Sequence, residues 1–201
     1  MKINLLLTTL AAGLLVSCAS TAPYRPVTRP ERIEYNLARP DVYPEDVRKV
    51  PSQFANMRVA WAGIIVSNDA NDEDFGGKIR MDTVFEHHYF DWEENHHDGG
   101  VRLLISPRGE GRFRMHWQMN RKDLDASAED ALKYAEPGKL AIVYGTPEKV
   151  DDDGTIVLRY HYIRIFDPAN FRENVLDYGR KGEPYHAIKT RPNAGTNSPS
   201  R

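Results

Sequence analysis

Leu124-Asp125-Ala126-Ser127-Ala128-Glu129-Asp130-Ala131-Leu132-Lys133-Tyr134-Ala135-Glu136-Pro137-Gly138 places Leu124, Ala128, Ala131, Leu132 and Ala135 at the spacing of one helical face. Pro137-Gly138 ends that helix, because proline cannot continue the ladder and glycine accepts the left-handed turn that often follows. A single helix inside an otherwise strand-forming chain narrows the choice of folds.

Downstream, Lys139 to Tyr144 and Thr155 to Phe166 read as strands joined by a turn at Asp151-Asp152-Asp153-Gly154. The closing Asp-Gly pair suits the positive backbone dihedrals of a hairpin. Upstream, Phe113, Met115 and Trp117 alternate with Arg112, Arg114 and His116, a strand with one apolar face. It resumes the apolar run Val101 to Ile105 after the turn-forming Ser106-Pro107-Arg108-Gly109-Glu110-Gly111, so the two pieces read as one interrupted strand. Lys78 to Phe85 sets Ile79, Met81, Thr83 and Phe85 against Arg80, Asp82 and Val84, and the strand is expected to run on through His87 to Phe90. Arg58 to Ser67 is rich in β-formers, with Gly63 marking a bulge or a close backbone approach. Asn68 to Gly77 reads as an acidic turn region.

The order is strand, strand, interrupted strand, helix, strand, strand. That order predicts a mainly β fold, a small OB-like five-stranded barrel whose one helix, between strands three and four, plugs the open end. A small α+β sheet is the alternative. The barrel domain is expected over 54–167, followed by a C-terminal extension over 168–201 that is disordered from about 190, where Pro, Asn, Ser and Gly dominate. No internal repeat stands out.

The N-terminal third reads differently. Met1-Lys2 is a short positive start, and Leu5 to Val16 carries no charge, which together fit a secretory signal peptide over 1–17. The run is shorter than the roughly 20 apolar residues of a transmembrane helix. Leu15-Val16-Ser17-Cys18 resembles the bacterial lipobox, which implies cleavage before Cys18, a covalent lipid on its sulfur and an acylated new N-terminus. One acyl chain binds a membrane marginally and several hold it stably. Ala19-Ser20, without Asp at the second mature position, resembles the outer-membrane sorting pattern. Pro23, Pro26, Pro30, Pro40, Pro44 and Pro51 then predict an extended, semi-rigid tether over 18–53. Arg25, Arg29, Arg32 and Arg39 along it are placed to meet anionic head groups. Glu31, Glu34 and Asp41 dilute that charge, which makes a solvated linker the simpler reading.

Composition agrees with an exported domain. Forty per cent apolar content supports one core, and 27 basic against 29 acidic residues leave a formal charge of −2, no broad field for capturing nucleic acid. The single cysteine, once assigned to lipidation, leaves no internal disulfide, so packing must supply the stability.

The lipobox and tether, followed by Val59-Ala60-Trp61-Ala62-Gly63-Ile64-Ile65, Gly111-Arg112-Phe113 and Gly138-Lys139-Leu140-Ala141-Ile142-Val143-Tyr144-Gly145, resemble the Slp family of starvation-inducible outer-membrane lipoproteins over roughly Cys18 to Phe166. The resemblance implies an outer-membrane location and a stress or envelope context, and it transfers no catalytic residue. The histidine-rich middle and the polar tail depart from the family pattern.

That middle, Glu86-His87-His88-Tyr89-Phe90-Asp91-Trp92-Glu93-Glu94-Asn95-His96-His97-Asp98, is the densest functional-looking stretch. His87, His88, His96, His97 and Asp98 are candidate ligands for zinc, copper or nickel, since imidazole and carboxylate suit those ions. On a strand His87 and His88 point to opposite faces, so at most one of each pair joins a shared site. The spacing matches neither a metalloprotease helix nor a zinc finger, and an aromatic, solvated hairpin loop offering Tyr89 and Trp92 to a partner is the simpler reading. Asp151 to Gly154 lacks the alternate ligands and closing Glu of a calcium loop. Arg102, Arg112, Arg114, Phe113 and Trp117 have the types of an OB single-strand surface, but core aromatics alternating with solvated arginines explain them. No nucleophile elbow, phosphate loop or dinucleotide fingerprint is present.

Two readings follow. The first is a non-enzymatic outer-membrane lipoprotein, facing the periplasm, that binds an envelope protein, glycan or small ligand and no nucleic acid. The second is a periplasmic metal-binding or hydrolytic protein using the histidine loop over 87–98.

Overall fold

The computed structural model describes residues 23–71, 77–95, 103–120, 127–174, 176–180 and 186–187. Five strands, β1 (Val59–Asn71), β2 (Lys78–His88), β4 (Arg112–Asn120), β5 (Leu140–Val150) and β6 (Ile156–Phe166), close a barrel in the order β1-β2-β4-β6-β5. All neighbours run antiparallel except β4 and β6, which pair in parallel from Phe113 opposite Ile156 to His116 opposite Arg159. This is the OB-like barrel, with α4 (Ala128–Tyr134) between its third and fourth strands.

The alternation read along β2 and β4 holds: Ile79, Met81, Thr83, Phe85, Phe113, Met115 and Trp117 all turn inward and are buried. Phe85 and Phe113 stack at 4.8 Å in the centre. Gly63 marks a close approach, since a Cβ there would stand 2.9 Å from the Phe113 ring and 3.0 Å from the Glu86 carbonyl oxygen. The register shift in β1 falls instead at Val66, between Ile65 and Ser67. The β5–β6 turn closes with Gly154 at φ +82 and its N–H donating to the Asp151 carbonyl at 2.9 Å. The helix α4 begins at Ser127, whose Oγ accepts the Asp130 N–H while Asp130 accepts the Ser127 N–H, a reciprocal cap. Leu124 lies outside the described residues.

Two expectations are corrected. The run ending at Ile105 is not the first half of β4: β3 (Leu103–Ile105) leaves the barrel and pairs in parallel with β7 (Phe171–Glu173). Gly111 at φ +78 and the tight passage of Gly109 against the His87 backbone turn the chain between them. Residues 168–174 and 176–180 therefore fold back onto the barrel, with short β8 (Leu176–Asp177) pairing with β9 (His186–Ala187).

Nor is 18–53 an extended tether from residue 23 onward. It forms α1 (Arg29–Leu37), α2 (Pro44–Lys49) and α3 (Pro51–Phe54). Pro30, Pro44 and Pro51 each sit in the opening turn of a helix, where the missing N–H has no partner to lose and the fixed φ favours the helix. Prolines that read as helix breakers are helix starters. Val42, Val47 and Phe54 join the barrel core at the Val59 end of β1, and the Trp61 indole N–H donates to the Val42 carbonyl at 2.8 Å. The helix α4 packs Ala131 and Ala135 into the same core near Ile65, where Gly138 N–H donates to the Ile65 carbonyl.

A second apolar layer lies outside β1 and β5. Ala60, Ala62, Leu140, Ile142 and Tyr144 face Tyr24, Ala38, Phe90, Leu103 and Ile105. Burial on both faces explains why β1 and β5 read as continuous apolar runs.

Candidate functional site

The histidine-rich stretch divides at the barrel wall. His87 is only 3% exposed, among the rings of Tyr43, Trp61 and Tyr89, and its Nδ1 accepts the Glu110 N–H at 3.1 Å. Burial, with the neighbouring His88, Arg48 and Arg180, pushes its pKa down to about 3, so the ring is neutral. His88, on the opposite face, is half-buried and its Nδ1 donates to the Ser106 carbonyl at 2.8 Å. The two imidazoles share no site. His96, His97 and Asp98 lie outside the described residues, and among the described residues no group of three or more His, Cys, Asp or Glu could hold a metal. Cys18 also lies outside them.

Tyr89 and Trp92 are packed rather than presented. Tyr89 is buried and its hydroxyl donates to Glu110 Oε1 at 2.7 Å; burial and that carboxylate push the phenol well above its usual range. Half-buried Trp92 meets the rings of Phe90 at 4.7 Å, Tyr24 at 5.4 Å and Tyr35 at 5.8 Å.

Glu110, unremarked in the sequence, is the hub beside His87. Its carboxylate accepts from the Glu45 N–H at 2.8 Å, the Tyr89 hydroxyl, and Arg180 Nε at 2.6 Å and Nη2 at 3.1 Å. Arg180 also holds Asp46 Oδ1 at 2.7 Å and lies 5.0 Å over the Tyr43 ring. Arg48 donates to the Glu110 carbonyl. These bonds tie α2, the 106–111 turn and the C-terminal segment together. In sequence the participants are 65 and 70 positions apart, and no local pattern links them.

Among the described residues, a surface feature with room for a ligand lies between β4 and β6. Past His116 and Arg159, β4 and β6 stop pairing, and a groove of about 680 Å³ opens between them. Its walls are Trp117, Gln118 and Asn120 of β4, Leu158, Arg159 and Tyr160 of β6, Lys78 and Arg80 of β2, and Glu148 of β5. Trp117 and Tyr160 stack at 6.5 Å and 28°, and the Trp117 indole N–H is fixed by Thr83 Oγ1 at 2.8 Å. Burial raises the Tyr160 phenol above its usual range, so it is neutral at ordinary pH. His116, also on the groove wall, faces Asp82 at 3.5 Å, and Arg114 faces the same carboxylate at 3.6 Å. Lys78, Arg80 and Arg159 against Glu148 leave the groove a net basic rim around an aromatic wall. Of the candidate single-strand surface Arg102, Arg112, Arg114, Phe113 and Trp117, Arg102 lies outside the described residues. Phe113 is core, Arg112 faces Glu86 and Arg114 faces Asp82 and Asp151, so of the rest only Trp117 borders the groove.

No family model matches this chain, and no curated protein matches it.

Proposed function

We propose that this chain is a non-enzymatic lipoprotein of the outer membrane, of the Slp type, held by lipid on Cys18 and working as a binding module of the cell envelope. The observation that carries the binding role is the groove between β4 and β6, an aromatic wall with a basic rim on the side of the barrel that OB folds commonly use for ligands. Among an envelope protein, a glycan and a small ligand, that rim favours one bearing acidic groups. The anchor rests on the sequence Leu15-Val16-Ser17-Cys18 alone.

The test combines two measurements. Fractionation with intact-mass analysis of the wild type and Cys18→Ser reads the anchor: an acylated mass beginning at Cys18 in the outer membrane supports it, and equal unmodified soluble masses overturn it. A photo-crosslinker at Gln118 in the groove, compared with one at Asp152 in the β5–β6 turn, reads the binding face in living cells. An envelope adduct formed from position 118, absent from position 152 and lost in Arg80→Glu, Arg159→Glu, supports the groove. Adducts indifferent to position and charge overturn it.

A further inference from the structure

We propose that the outward face of α1 and its lead-in form a membrane-docking surface, with Val27, Ile33 and Leu37 entering the interface of an anionic bilayer and Arg25, Arg29 and Arg32 meeting its head groups. The inference rests on acylation of Cys18 and goes beyond it, because it fixes which side of the barrel the membrane meets.

Reach comes first. Cys18 and Pro23 are five positions apart in sequence, and a chain spans at most about 3.6 Å per residue, so the lipid attaches within about 18 Å of Pro23. From there the chain is pinned: Tyr24 is buried and its N–H donates to the Trp92 carbonyl at 2.8 Å. The extended tether that would let the barrel stand away from the bilayer is folded onto the barrel itself. Whatever surrounds Pro23 and α1 therefore faces lipid.

What surrounds them has the chemistry of an interface. Val27 is 55% exposed, Ile33 50% and Leu37 55%, the three most exposed large apolar side chains among the described residues. Arg29, Ile33 and Leu37 recur at intervals of four along α1, on the side away from buried Glu31 and half-buried Tyr35. Arg25, Arg29 and Arg32 are exposed beside them. The acidic residue of α1 beside them, Glu34, is held by Arg58 at 2.8 Å. Exposed apolar residues in line with arginines suit an anionic bilayer interface, whose head groups attract the cations while the acyl boundary takes the aliphatic tips.

The test uses the full acylated chain in vesicles of phosphatidylethanolamine and phosphatidylglycerol. Because the Cys18 sulfur is acylated, a thiol introduced by Ile33→Cys or by Asp152→Cys is the one that takes a polarity-sensitive dye. The dye at position 33 is expected to shift to the blue and to be quenched by brominated acyl chains, and the dye at position 152 to do neither. In an Arg29→Glu, Arg32→Glu background the shift at position 33 is expected to vanish while the protein stays on the vesicles. A dye at position 33 as wet as that at 152, on vesicles carrying protein of acylated mass, overturns the docking surface and leaves the anchor intact. An unmodified mass at Cys18 overturns the anchor, and the docking surface with it.

Discussion

Glu31 of α1 and Arg164 of β6, 133 positions apart, meet at 3.1 Å with the carboxylate fully buried. The same carboxylate accepts the Tyr24 hydroxyl at 2.6 Å, the Val27 N–H at 3.0 Å and the Tyr144 hydroxyl at 3.4 Å. This pair fastens the N-terminal segment to the barrel. Arg164→Met strands the charge in the interior and is expected to lower stability by about 3–5 kcal/mol, whereas adding Glu31→Gln to it should restore a large part. Urea midpoints at unchanged m value check both; an Arg164→Met midpoint equal to wild type would show that the pair holds nothing.

The buried imidazole of His87 makes stability depend on pH in a definite direction. Its pKa falls from 6.5 in the unfolded chain to about 3 in the fold, so between those values the unfolded chain binds the extra proton. Stability is therefore fully present above about pH 6.5 and declines on acidification toward pH 3, by at most about 1.4 kcal/mol per pH unit from this group. Between pH 5 and 6.5, where ordinary carboxylates stay ionised, the wild type should lose stability faster than His87→Gln, which keeps an acceptor for the Glu110 N–H. Parallel slopes for the two proteins would remove His87 as the source.

Arg180 is the clasp of the C-terminal segment. Replacing it by Gln leaves Glu110, nearly buried, without its cation and frees Asp46. The expected loss is about 2 kcal/mol, since hydrogen bonds to charged groups contribute about 1.5–3 kcal/mol each and Arg180 is partly solvated. Proteolysis beyond Asn174 should quicken as well; unchanged protection there would mean that β7 alone holds the segment.

Gly63 has no space for a methyl group. In Gly63→Ala the Cβ would press on the Phe113 ring at 2.9 Å, itself stacked on Phe85, so neither ring can retreat freely. Overpacking of this kind costs about 1–3 kcal/mol. Thermal unfolding of the single variant and of Gly63→Ala, Phe113→Leu separates the causes: partial rescue by the smaller side chain identifies the ring, and no rescue identifies the Glu86 carbonyl at 3.0 Å.

The barrel was legible because its determinants are local. Ile79 to Phe85 and Phe113 to Trp117 alternate along single strands, Ala128, Ala131, Leu132 and Ala135 share one helical face, and Pro137-Gly138 ends that helix. The N-terminal layer is hidden because closely spaced prolines suit an extended chain as well as a series of helix starts, although Thr28-Arg29-Pro30-Glu31 is a capped helix start in which Thr28 Oγ1 accepts the Glu31 N–H. A signal for it did exist. The unbroken apolar runs of β1 and β5 require cover on two faces, and one helix cannot supply both. The groove was not legible, since it follows from where β4 and β6 cease to pair, a relation of register between strands about 40 positions apart.

That missing cover yields the last prediction. Beginning the chain at Arg39 removes Tyr24, Glu31, Tyr35 and Ala38 together, uncovering the outer faces of Ala60, Ala62, Ile142 and Tyr144 and leaving Arg164 without Glu31. A contiguous apolar patch on a sheet surface recruits other surfaces, so the shortened protein should bind a hydrophobic dye and self-associate more than the longer one. A merely solvated tether predicts the opposite: the same urea midpoint and the same sedimentation with or without residues 1–38. Comparing the shortened chain with Ile33→Asp, Leu37→Asp in the longer one isolates the inner face of α1. The double variant changes only the outward side, so it should keep the wild-type midpoint while the truncation loses it.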